Sequence, residues 1–326
     1  MDKLKKVGLT ALSTALVTSS AVAADLAVGG GAKLVLTGGD NDTQGNGWTM
    51  LDSITFRASA DLDNGWTVST SQNIAGGAAN NANTKINMGE MGTLEFHKSG
   101  GTSAVAAWDD KLPAANEESW HSLTGAAGGA SAIMSGGSGA DMFKYSVNVM
   151  DGLDVYGSYM PSDGATSVES STAYGIQYSG IDGLTVGYAN GDNNNKVAVT
   201  NGNATDSAAG AEIENTAMFI TYAIDSFTVG IQDNESDSAT ADADTEYRGY
   251  GISYAVTEDL SVSYAQGTID FELAGAEDQE TSAVGLSYTS GGITLSASFH
   301  DGENLGGSTA TTADTSAYEI NIAFAF

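Results

Sequence analysis

The chain has 326 residues, 41 of them carboxylates against 11 lysines and arginines, for a formal net charge of −30. Such an excess repels nucleic acid and anionic surfaces, and the lack of cysteine excludes disulfides and thiolate metal sites. Disorder, the other common companion of high net charge, is excluded because 41% of the residues are hydrophobic and they recur with a period.

At the N-terminus Lys3, Lys5 and Lys6 precede a short apolar stretch from Val7 to Val17, and Ala21-Val22-Ala23 supplies small residues for cleavage. This order of charge, apolar and small residues predicts a signal peptide over 1–23 and a mature chain over 24–326. Its loss removes three lysines and Asp2, which takes the formal charge from −30 to −32. Beyond it no apolar run approaches the ~18 residues that a spanning helix needs, so a helical membrane protein is excluded. No linker or break in composition divides the remainder, which reads as one domain.

Period-2 alternation of apolar and small or polar residues predicts strands near 26–37, 50–61, 65–74, 83–89, 92–98, 142–150, 153–160, 172–180, 183–190, 215–224, 226–233, 246–255, 259–267, 280–289, 292–300 and 317–326. In the second half one hairpin recurs. Tyr174-Gly-Ile176-Gln-Tyr178 turns into Leu184-Thr-Val186-Gly-Tyr188, Tyr250-Gly-Ile252-Ser-Tyr254 into Leu260-Ser-Val262-Ser-Tyr264, and Val284-Gly-Leu286-Ser-Tyr288 into Ile293-Thr-Leu295. Phe143 to Tyr159 forms a degenerate copy with its turn at Asp151-Gly152. Longer polar segments, such as 191–215 and 233–246, separate the units. Short turns on one side and long loops on the other are the pattern of a transmembrane β-barrel with both termini on the periplasmic side. A secreted sandwich or β-helix would show the same alternation. The wet-looking polar face (Thr, Ser, Asn, Gln and charge) and tyrosines at strand ends (Tyr145, Tyr178, Tyr254, Tyr288) favour the membrane. The last strand shows the period most cleanly: Tyr318, Ile320, Ile322, Phe324 and Phe326 on one face, Glu319, Asn321, Ala323 and Ala325 on the other.

The leader, the sixteen strands, the very long connection between the fifth and sixth, the segment Gly92-Thr-Leu-Glu-Phe96 and the aromatic terminus together resemble the general diffusion porins of Gram-negative bacteria, in particular the alphaproteobacterial type. The resemblance covers essentially the whole mature chain. It implies an all-β fold, a 16-stranded antiparallel transmembrane β-barrel in the cell outer membrane, reached through the periplasm. It further implies a homotrimer with one water-filled channel per subunit, amid outer-membrane lipid and lipopolysaccharide. Tyr318, Ile320, Ile322, Phe324 and Phe326 look like the signal read by the barrel-assembly machinery. The connection 99–141, which has no strand pattern, corresponds to the loop that in this family folds inward as a constriction.

That loop contains Asp109, Asp110, Glu117 and Glu118, with Trp108, Lys111, Trp120 and His121 nearby. Strand phase supplies the opposing charge: Lys33, Arg57, Lys85 and Lys144 alternate with outward Leu34, Phe56, Ile86 and Phe143 and therefore point inward. Four of the eight basic residues after the leader are thus assigned to the lumen. A basic wall facing an acidic loop sets a transverse field that orders water and polar solutes, and rings of charge bias ion selection. Arg248 does not fit, because Tyr250, Ile252 and Tyr254 put it on the outer face, above the hydrocarbon band or beyond a register break. Lys98 is likewise phased outward, at the end of its strand.

The expected function is passive diffusion of small hydrophilic solutes and ions, with cation preference. Two other readings compete: a sugar-specific channel with Trp108 and Trp120 as a stacking track, and a secreted adhesin or carbohydrate-binding protein. No GxSxG elbow, P-loop or HExxH occurs, and His300 alone near a loop makes no catalytic set, so no enzyme is expected. His97, His121 and His300 lack zinc-like spacing; His97 shares an inward phase with Glu95. No cofactor is expected beyond a structural calcium ion at the acidic stretches, for which Asp192, Asp233 and Asp237 are candidates. Divalent ions there could also bridge to lipopolysaccharide phosphates.

Overall fold

The computed structural model describes residues 25–326 except 41–46, 128–137, 140, 162–169, 201–202, 207–210, 239–241 and 311–312. The expected signal peptide lies outside the described residues, as do parts of the 99–141 connection.

Sixteen strands form the wall: β1 (Asp25–Gly39), β2 (Trp48–Asp61), β3 (Thr67–Ala75), β4 (Ala78–Asn87), β5 (Thr93–Ser99), β6 (Met142–Met150), β7 (Leu153–Met160), β8 (Ser171–Ile181), β9 (Leu184–Thr200), β10 (Ala211–Ile224), β11 (Phe227–Ser238), β12 (Thr245–Ala255), β13 (Leu260–Phe271), β14 (Gln279–Ser290), β15 (Ile293–Glu303) and β16 (Thr315–Ala325). Each pairs antiparallel with the next, and β16 returns to pair with β1 from Gly39↔Ala317 to Gly31↔Ala325. The sheet is therefore a closed barrel, which leaves no unpaired edge in lipid. At the seam Gly30 and Phe326 exchange backbone hydrogen bonds of 2.8 and 3.0 Å. A Cβ on Gly30 would lie 2.6 Å from the Ser53 carbonyl oxygen and 3.0 Å from the Phe326 ring, so the seam closes only over a glycine.

Alternation sets which face looks where. Ile231 is 50% exposed while its neighbour Gln232 is 1% exposed, and the same reversal repeats along β8, β10, β12 and β14. Large apolar groups cover the outside and polar or small groups lie within, the inverse of a soluble barrel. The tyrosines Tyr178, Tyr254 and Tyr288 stand on the outer face near the short turns, and Tyr254 stacks on Phe227 at 4.5 Å.

All the predicted strands are present, but several run further than the alternation suggested. β9, β11 and β13 reach Thr200, Ser238 and Phe271, past expected ends at 190, 233 and 267. The segment 191–215, expected as a loop, is largely strand, with Asn203–Asp206 pairing back on β9. The reason is physical: apolar alternation marks only the part of a strand that meets hydrocarbon. Above that level Asn, Asp and Ser continue the backbone ladder without an apolar face.

Candidate channel lining

The β5–β6 connection opens with a two-residue ladder, Gly101–Thr102 against Ser138–Gly139. Its described part, up to residue 127, then follows the inner wall, where it meets strand residues of inward phase and the Leu305–Gly307 turn. Trp108 is 6% exposed, edge-on to Tyr156 of β7 at 5.7 Å and Phe219 of β10 at 5.4 Å, and packed with Ala173, Ala189 and Ala217. Next, Gln232 of β11 clasps the loop backbone: its Nε2 donates to the Trp108 and Asp109 carbonyls at 2.9 and 2.7 Å, and its Oε1 accepts from Lys111 N–H at 2.6 Å.

Leu112 and Pro113 then press on glycines. A Cβ on Gly230 would sit 2.5 Å from Pro113 Cδ, and one on Gly251 3.0 Å from the same atom. Ala115 N–H donates to Ser263 Oγ at 2.8 Å, and Asn116 Nδ2 donates to Ser298 Oγ at 3.1 Å. Trp120 meets Tyr247 edge-on at 5.4 Å, Leu123 packs with Leu305 and Ala317, and Ala127 is held through both backbone groups by Gln279. The loop therefore runs along the wall from β7 round to β16. Trp108 and Trp120 are turned into that wall and act as its anchors; neither ring is offered to a passing sugar.

The predicted acids divide into two pairs of environments. Glu117 Oε1 lies 2.8 Å from Lys33 Nζ, and Lys33 reaches Glu319 Oε1 at 3.2 Å. Glu118 hydrogen-bonds the side chain of Asp110. Burial, then the charge of Glu118, push the Asp110 carboxyl up to about 8, so the hydrogen-bonded Asp110–Glu118 pair retains a proton well above the ordinary carboxylate range. Burial also raises Asp109 above the ordinary carboxylate value.

Arg57, Lys85 and Lys144 occupy the wall the loop leaves bare, and Lys33 stands at its edge, bonded to the loop. Lys33, Arg57, Ser53, Thr55, Ser71, Asn73 and Asn83 line an open space of about 760 Å³. Lys85 and Lys144 flank Glu95 in register across β4, β5 and β6; Lys85 pairs with it at 3.0 Å and His97 Nε2 lies 2.8 Å from its Oε2. Arg57 reaches no loop acid within ion-pair distance among the described residues. Two wall carboxylates were thus missing from the sequence-based set. Glu95 is the countercharge of the basic cluster, and Glu319, 3% exposed, binds Lys33, His121, Ser122 and Asn321. Both carry the inward phase, which the sequence had already shown for Glu95 beside His97; what it did not show was their cationic partners.

Outside the barrel, Arg248 is indeed on the outer face, in unbroken register with Asp233 and Thr268. Its guanidinium forks onto Asp233 at 2.9 and 2.8 Å and reaches Glu246 at 2.6 Å. Lys98 pairs with Asp141 at 2.8 Å at the end of β5. Of the calcium candidates, Asp233 is taken by Arg248, while Asp192 and Asp237 stand on either side of Glu214 in register across β9, β10 and β11.

Comparison with known proteins bears on the same geometry. The fold matches OmpT, an outer membrane protein of Vibrio cholerae, with a TM-score of 0.69 at 13% identity over 93% of this chain and 98% of that one. It matches OmpF of Salmonella typhi, solved with daunomycin, with a TM-score of 0.68 at 13% identity over 92% and 97%. A mutant of the Rh. blastica porin gives 0.62 at 15% identity over 93% and 100%. No curated protein matches in sequence. A family model described as Gram-negative porin matches residues 8–326, nearly the whole chain, and the chain belongs to the Gram-negative porin family.

Proposed function

We propose that this porin is a passive diffusion channel for small hydrophilic solutes and ions, preferring cations, with the 99–141 loop as its constriction. One observation carries the reading: the loop's described part is docked inside the barrel, and it brings Glu117 and Glu118 to the lumen beside a wall bearing Lys33, Arg57, Lys85 and Lys144. Charges of both signs on the walls of one aqueous passage set a field across it, and the carboxylate excess of the chain tips that field towards cations. The porin family and the barrel fold support the outer membrane as its site.

The remaining expectations belong to the same proposal: export through the periplasm after loss of residues 1–23, assembly through the Tyr318–Phe326 signal, contact with lipopolysaccharide, and a homotrimer. The trimer gains support from the outer face of β3 and β4. There Thr70, Gln72 and Thr84 take the outward phase that Ile, Leu and Tyr hold elsewhere, hydrogen-bonding the sheet itself. Polar groups at that depth are better covered by another subunit than by acyl chains.

Reversal potentials of the purified protein in planar bilayers under a salt gradient test the selectivity. Cation preference is expected, and neutralising Asp109, Asp110, Glu117 and Glu118 together should weaken it several-fold. Anion preference in the native protein would falsify the reading.

A further inference from the structure

Glu117, Glu118 and His121 converge in a way that permeation alone does not require. His121 Nε2 lies 3.0 Å from Glu319 Oε2, and Glu319 is held in turn by Asn321 Nδ2 at 2.7 Å, Lys33 Nζ at 3.2 Å and Ser122 Oγ at 3.3 Å. Glu319, already fixed by three donors, can only accept from Nε2, so a neutral His121 ring carries its proton there and leaves Nδ1 as the nitrogen for a ligand. Nδ1 faces Glu117 Oε2 and Glu118 Oε2, each 3.7 Å away. That distance is beyond hydrogen-bond reach. The three ligand atoms all lie within 4.8 Å of one another, and no other such group occurs among the described residues.

Zinc-like ions hold nitrogen and oxygen ligands at about 2.0–2.2 Å, which places neighbouring ligand atoms roughly 3.3–3.5 Å apart. The two 3.7 Å edges to His121 need a contraction of only a few tenths of an ångström, and the Glu117–Glu118 edge, within 4.8 Å, closes by rotation of the two glutamate side chains. An imidazole whose other nitrogen is oriented by a carboxylate is the arrangement that holds histidine ligands in metal centres. Glu319 supplies this from the opposite side of the loop–wall contact, independently of the cluster itself. The loop acids alone would suit any cation; the imidazole selects first-row transition ions over calcium and magnesium, which take all-oxygen shells.

We propose that Glu117, Glu118 and His121 bind one divalent transition ion, water completing its shell and Glu319 positioning the imidazole. Lys33, on the far oxygen of Glu117, opposes the ion electrostatically and keeps the affinity modest. The bound ion cross-links residues 117–121 of the loop, whose His121 already meets Glu319 of β16, and places positive charge on the lumen side of the loop. External metal therefore reports on, and lowers, the cation current.

Binding is read without any current, so its failure and that of the permeation reading are distinguishable. Titrating CoCl2 into the purified barrel in detergent and following visible absorption should give a saturable spectrum with one ion per chain, displaced by ZnCl2 and not by CaCl2. Affinity should fall roughly tenfold or more in His121→Asn and in Glu118→Gln, with folding of each variant checked by heat-modifiable gel migration. In bilayers ZnCl2 should reduce conductance saturably in the native protein and far less in His121→Asn. Absence of a saturable spectrum, titrations unchanged in both folded variants, or displacement by CaCl2 would overturn the proposal.

Discussion

From β8 round to β14 the inner wall is small or neutral where the loop touches it; from β2 to β6 the loop meets the wall near its start, at Asn81 and Met142, and the wall carries the cations. Gly175, Gly230, Gly249, Gly251 and Gly285, with Ala173, Ala189 and Ala217, make the first wall. Arg57, Lys85 and Lys144, with Ser53, Thr55 and Asn73, make the second. Missing side chains let a second layer of backbone approach to van der Waals contact, where Gln232 and Gln279 saturate its peptide groups. A lysine in their place would have to surrender its hydration to the packed loop at a cost of several kcal/mol. Side-chain size and charge on the wall thus decide which half of the barrel is filled and which conducts. Lys33 stands at the boundary, inward on β1 and bonded to the loop.

This division can be broken most severely at the loop's main anchor. Trp108→Ala empties the pocket between Tyr156 and Phe219, and loss of that side chain should cost about 3–5 kcal/mol of docking stability. Protease cleavage within the loop and noisy, substate-rich channel currents are the expected readouts; quiet currents with an intact loop would mean the remaining anchors suffice. A smaller effect is expected from the wall side. Gly230→Val meets Pro113 at once, and overpacking of about 1–3 kcal/mol should push the loop into the lumen and lower single-channel conductance. An unchanged conductance would show that the wall yields instead.

On the open wall, Arg57→Met removes a cation unpaired with any loop acid, so cation preference should rise modestly with no change in unfolding. A loss of stability would instead reveal a structural partner. The proton on Asp110 gives a subtler handle. Its value is raised from the ordinary 3.8 to about 8, so the docked loop keeps a proton that an undocked loop would release between those limits. Docking is therefore favoured fully below the lower value and weakens as pH rises through the upper one. Cation preference should increase by about one lumen charge on passing pH about 8, and Asp110→Asn should flatten that step in reversal potential. Least is expected outside: Arg248→Met breaks a solvent-exposed ion triad, and neither conductance nor the unfolding midpoint should move measurably.

Much of the barrel was legible because hydrocarbon imposes a strict period on whatever faces it. Each strand's identity, the inward phase of Lys33, Arg57, Lys85 and Lys144, and the outward one of Arg248 all follow from counting by two. The loop obeys no such rule. Its acids were visible as residue types, but the Asp110–Glu118 contact comes from a turn with no period, and the Lys33–Glu117 pair joins residues 84 apart. Gln232 and Glu319 sat in plain sight as polar members of alternating strands. Their roles exist only because the loop and the returning last strand bring partners to them. Strand ends beyond the apolar band were hidden for the opposite reason: water places no demand on which side chain faces it.

The seam at Gly30 and Phe326 carries a consequence for biogenesis. Because β1 and β16 are mutual neighbours, the ring stays open until β16 has been made and meets β1. Every precursor lacking that join offers two raw sheet margins able to recruit foreign strands. Contacts spanning nearly the full sequence are also slow to form. The join of β1 with β16 is therefore the step that removes those margins.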